Sequence, residues 1–149
     1  MHQESGRSMV EIIGVIAIMA LISAGAFILI RSGMASQRRS MIVDDVSKIV
    51  SGIRSLYSDY DDLSTLDGDG AMAAMGVDMN GPNGVTYSVA KVAGDVNLFK
   101  VTIGGGLLYQ DCVVLGTKTW AGSAAIENNP YSDCDVDEEQ QQVSITYQK

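Results

Sequence analysis

The sequence predicts an α+β fold: a long N-terminal helix, apolar in its first half and amphipathic in its second, packed on a small antiparallel sheet. Three observations predict it. Nineteen consecutive residues, Ile12 to Ile30, carry no charge. Apolar residues then recur at every third or fourth position from Ile42 to Tyr60. Beyond Val85, three short segments alternate in part between apolar and polar residues, with glycine turns between them.

The helix comes first along the chain. A charge-free run of that length spans about 29 Å as a helix, close to the hydrocarbon thickness of a bilayer. Ile42, Val46, Ile49, Ile53, Leu56 and Tyr60 continue it as a stripe, which Val43, Val50 and Tyr57 widen. Asp44, Asp45, Lys48, Ser51, Arg54 and Ser55 occupy the other face, so one side of this half is expected to be buried. No proline interrupts Ser8 to Tyr60. A near-continuous helix of about 50 residues is therefore predicted, roughly 75–80 Å long.

Turn chemistry follows in Asp59–Asp62 (DYDD), Leu66–Gly70 (LDGDG) and Asn80–Gly84 (NGPNG), with a short helix predicted at Ala71–Met75. Strands are predicted at Val85–Val92, Asn97–Ile103 and Val143–Tyr147. The Gly94-Asp95 turn makes the first two an antiparallel hairpin. Leu107–Leu115 reads as a second short helix, carrying Cys112.

Composition removes several function classes. The 149 residues carry a net charge of −8, the wrong sign for a general nucleic-acid binder. The charge is unevenly placed: from Met41 onward 16 acidic residues face 6 basic ones. The single histidine is His2, so the body of the chain cannot supply a histidine metal site or a Ser-His-Asp triad. Two cysteines, Cys112 and Cys134, are too few for a four-cysteine zinc site. No constellation of residues supports an enzyme, a cofactor or a small-molecule substrate. Arg31, Arg38 and Arg39 stand where a membrane anchor meets lipid headgroups.

The N-terminal segment has three readings. It is a plain signal-anchor helix, or a secretory signal cleaved after Ala24-Gly25-Ala26 to start at Phe27, or a longer-lived helix behind a very short leader. Against secretory cleavage, Glu4 and Glu11 offset Arg7, and Phe27–Ile30 is left at a new terminus with nothing to bury it. The third reading rests on Gly6, then Arg7-Ser8-Met9-Val10, then Glu11 at the mouth of the apolar run. This pattern resembles the class III signal of type IV pilins, in which a membrane peptidase cuts after a glycine and glutamate is the fifth mature residue.

A glutamate beside the bilayer core costs up to roughly 2.5–3.5 kcal/mol near a helix centre, so it is usually retained with a partner. Cleavage after Gly6 provides one: the new amine of Arg7, with the Arg7 side chain as a second cation. Within one helix that amine lies about 6 Å along the axis from Glu11. The amine of a neighbouring chain pairs more directly and fixes axial register between subunits, as a polar group does in a coiled-coil seam. Without such a partner Glu11 is only a carboxylate at the headgroup edge.

The resemblance implies a leader at 1–6, a transmembrane and polymerisation helix at 7–35, and an extracytoplasmic globular domain at 36–149 that includes the amphipathic half 41–60. This is the lollipop shape of the family. It further implies an inner-membrane precursor, a prepilin peptidase, an assembly machinery, and a homo-oligomeric helical filament on the cell surface. Two departures stand out. The first mature residue, often an N-methylated phenylalanine in the family, is Arg7, and the apolar helix lacks proline. Gly14, Gly25 and Gly33 either weaken the helix in its place or serve as close-packing points. Ile53–Ser58 (IRSLYS) and Gln110–Gly116 (QDCVVLG) look like the type IVb group, while the short leader looks like IVa.

Cys112 and Cys134 enclose 21 residues, and an extracytoplasmic location permits their disulfide. Such a C-terminal staple is common in the family and is worth about 3 kcal/mol in the chain-entropy model. Asp133, Asp135 and Asp137 read as a solvated acidic face rather than a calcium site, and Trp120 as core rather than contact patch. The functional expectation is a type IV pilus subunit. Its alternatives are a secretion-system pseudopilin, a minor pilin, or a monomeric membrane-anchored binding module.

Overall fold

The computed structural model describes residues 9–126, 134–135 and 141–149. The fold is α+β, a long N-terminal helix with a four-stranded antiparallel sheet. Two compact units divide the chain, one ending at Gln37 and the other running Arg38–Lys149.

Helix α1 covers Met9–Leu56, 48 residues, with Glu11 in its first turn and Arg54 in its last. Both charges oppose the adjoining end of the helix dipole. Its buried residues are Ile42, Val46, Ile49, Val50 and Ile53. The sequence stripe extends further, to Leu56 and Tyr60, but these are 41% and 56% exposed. Helical spacing places residues on one face only while the helix lasts. Here it ends at Leu56, and the chain turns through Tyr57 N–H to Ile53 O (3.0 Å) and Tyr60 N–H to Tyr57 O (3.2 Å).

Helix α2 spans Gly68–Met75 and closes on Gly76 in the left-handed conformation, φ 66°. Gly68 permits a close approach to the sheet: a Cβ there would stand 1.9 Å from the Val89 carbonyl oxygen. Strands β1 (Val85–Lys91) and β2 (Leu98–Gly105) form the predicted hairpin, paired from Val85↔Gly105 to Lys91↔Phe99. Gly94, at φ 89°, supplies the turn. Helix α3 covers Tyr109–Thr117, shifted two residues from the expected start because Leu108 is extended.

Strand β3, Ser123–Ile126, was not expected from the sequence. It pairs with the last strand, β4 (Val143–Gln148), through an irregular register between Ser123 and Ala125. The sheet order is β1-β2-β4-β3. Val85, Tyr87 and Val89 of β1, Phe99, Val101 and Ile103 of β2, and Val143, Ile145 and Tyr147 of β4 share one core with the α1 stripe. Phe99 and Tyr147 are cross-strand partners whose rings stack at 5.7 Å. Two polar contacts fix helix on sheet: Tyr87 O–H donates to Asp45 (3.1 Å), and Arg54 Nε donates to the Gln148 carbonyl (2.9 Å).

Burial, then the neighbouring Asp45 carboxylate, raises the Tyr87 phenol well above its usual value. Burial pushes Tyr147 up to about 12, against a partial pull downward from Arg54. Both phenols therefore stay protonated in the folded chain while an unfolded chain ionises near 10.0. Their contribution is complete below that pH and is lost as pH rises toward 12. A melting series should show stability falling above pH about 10 as the unfolded chain's phenols ionise. Tyr147→Phe should shallow the fall; an unchanged slope would remove Tyr147 as a cause.

Candidate functional site

The described residues of the first unit are largely unburied surface. Fourteen large apolar side chains between Met9 and Ile30 stand 48–78% exposed. Covering one such side chain fully is worth about 1.5–3 kcal/mol, so this surface strongly favours a cover of lipid or protein. The α1 helix is long and apolar enough to cross a membrane, and none of its most apolar stretch is buried. Gly14, Gly25 and Gly33 lie inside the helix without breaking it. A Cβ on any of them would meet nothing within 4 Å, so none is used for packing within the chain. They leave notches in which the backbone of another helix can approach. Arg31 folds its guanidinium over the Phe27 ring at 4.5 Å.

Glu11 is exposed beside Ile12, Val15 and Ile16, which with it line a shallow depression on the helix. Among the described residues no hydrogen bond or ion pair engages it. Gly6 and Arg7, the expected cleavage site and register partner, lie outside the described residues, as does the whole 1–6 leader.

The second unit gives Arg38 and Arg39 a partner within the chain. Both turn onto Asp111 in the first turn of α3. Arg38 Nη2 donates to Asp111 Oδ2, and Arg39 Nε donates to Oδ1 at 2.6 Å. The Asp111 side chain is 1% exposed, against 14% for Arg38 and 29% for Arg39. Arg38 Nε is buried with no hydrogen-bond partner among the described residues. Two guanidinium groups on one carboxylate leave a surplus positive charge, and charge-assisted bonds of this kind are the strong ones. No local sequence signal could have found the pairing, because its members are 73 and 72 residues apart.

Cys112 and Cys134 form the expected disulfide, with Cα atoms 5.8 Å apart. Cys112 follows Asp111, so the staple and the arginine cluster anchor the same turn of α3. Trp120 is core: it is 4% exposed, and its Nε1 donates to the Leu115 carbonyl at 3.0 Å. Asp133 and Asp137 of the acidic trio lie outside the described residues. The chain matches no family model, no curated protein and no solved structure.

Proposed function

We propose that this chain is the structural subunit of a type IV pilus, polymerising through its apolar helix into an extracellular helical filament. The single observation that carries the reading is an apolar helix surface left uncovered from Met9 to Ile30, on a chain whose Arg38–Lys149 unit has a closed core of its own. In lipid that helix gains little by meeting another, since lipid tails are as apolar as leucine. Once lifted out of the bilayer it must be covered by copies of itself, and the same side chains then hold the filament together. Glu11 at its mouth sets the register against the Arg7 amine of a neighbour.

Surface filaments sheared from cells, imaged by electron microscopy and identified by mass spectrometry, test the proposal directly. N-terminal sequencing of their subunit should give Arg7, and Gly6→Val should leave the leader attached. A start at Met1 or Phe27 rejects the pilin assignment. A correctly cleaved chain that forms no filament is instead a minor component or an anchored binding module.

A further inference from the structure

The Arg38–Lys149 unit is acidic, yet one groove of about 320 Å³ is rimmed by cations. Its lining includes Val43, Arg54, Lys118, Trp120 and Tyr147, the two aromatic side chains being 4% and 2% exposed. Arg54 is held in place: Nε donates to the Gln148 carbonyl at 2.9 Å and Nη2 to the Gly122 carbonyl at 3.2 Å. Lys118 Nζ lies 5.9 Å from the centre of the Trp120 ring. Neither cation has a carboxylate partner among the described residues. The groove therefore carries two cations beside the edge of the core that holds Trp120 and Tyr147.

The same unit carries the inverse pattern. Asp59, Tyr60 and Asp61, just past the end of α1, are all exposed, and Tyr60 is 56% exposed. Lys149 is engaged on the Tyr60 carbonyl and acts on Asp62, leaving Asp59 and Asp61 with no cation partner among the described residues. Tyr60 leans on Tyr57 at 5.3 Å and lines a hollow with Leu56, Thr65 and Asp67 that shares no residue with the groove.

We infer that the Arg54–Trp120–Lys118 groove is a docking site for the Asp59-Tyr60-Asp61 segment of a second copy of this chain. Charge complementarity favours this occupant: the exposed carboxylates Asp59 and Asp61 face two cations that have no carboxylate partner among the described residues. Groove and segment lie on one unit, so each copy can both offer and accept this contact. Made in one direction only, the contacts are heterologous and propagate into rings or open helices; made reciprocally between two copies, they close a two-fold dimer. The inference deepens the filament proposal and rests on it for its setting, but the contact itself is measurable apart from filaments.

The test uses full-length chain in its native membranes, with the photo-crosslinker p-benzoylphenylalanine at exposed Ala121 on the groove wall. Illumination should give a covalent dimer whose linked peptide contains Asp59–Asp61. Lys118→Glu should cut its yield ~10-fold by setting like charges together, and Asp59→Lys or Asp61→Lys should do the same. Lys118→Glu combined with whichever of these two replaces its true partner should recover the yield. These side chains are exposed, so the variants test contact rather than folding. An adduct to another protein, a link to another segment, or no recovery in either combination overturns the inference. Electron microscopy of the same cells separates the two claims. The predicted link on cells without filaments keeps the contact and sinks the filament reading, while filaments with a link elsewhere do the reverse.

Discussion

Chains carrying Glu11→Val are expected to reach the inner membrane at normal levels, to be cleaved after Gly6, and to yield few or no filaments. Removing a charge from the edge of the apolar run leaves membrane insertion unharmed or improves it. Assembly is where the loss falls. If Glu11 pairs with the Arg7 amine of the next subunit, the variant buries an uncompensated cation at every interface. Breaking one buried pair costs on the order of 3–5 kcal/mol, and a filament repeats that cost at each subunit. Glu11→Asp keeps the charge with a shorter reach and should be intermediate. Filament yield measured against membrane-inserted precursor checks this, and a normal yield from Glu11→Val rejects the register role.

The second large effect belongs to Asp111. With its side chain 1% exposed and both oxygens engaged by Arg38 and Arg39, Asp111→Ala leaves two cations facing each other at a covered site. Arg39, at 29% exposed, can turn toward water, but Arg38, at 14%, has less freedom. A loss of about 3–5 kcal/mol is expected, a large share of the 5–15 kcal/mol typical of a domain. The sequence has a single tryptophan, Trp120, and it is buried, so its fluorescence reports unfolding in urea directly. Asp111→Asn preserves shape and one acceptor and should lose less. If Asp111→Ala unfolds at the same urea concentration as the parent, the cluster contributes nothing to stability.

The two cases differ in how visible they were beforehand. Glu11 announces itself, because a carboxylate against nineteen uncharged residues violates the cheapest arrangement available. The arginine cluster is silent, because Arg38 and Arg39 look like any polar flank of an apolar helix until α3 is folded onto them. Periodicity and turn chemistry are local, so α1, α2, the β1–β2 hairpin and β4 were legible. Strand β3 was not: Ser123-Ala-Ala-Ile has no alternation to read, and its extended form is set by pairing with β4. Tyr60 was misplaced for a related reason. A spacing rule cannot see the residue at which the helix stops.

The sheet order has a consequence for the timing of folding. β4 is the last of the four strands along the chain, yet it lies between β2 and β3 and contributes Val143, Ile145 and Tyr147 to the core. Until it arrives, β1 and β2 are only a two-stranded hairpin, which is marginal in water, and β3 has no partner. A chain whose last residues are not yet available therefore cannot close this unit early. The α1 stripe lacks the central part of its seat until residues 143–148 are in place, and closure of the core waits for the end of the chain.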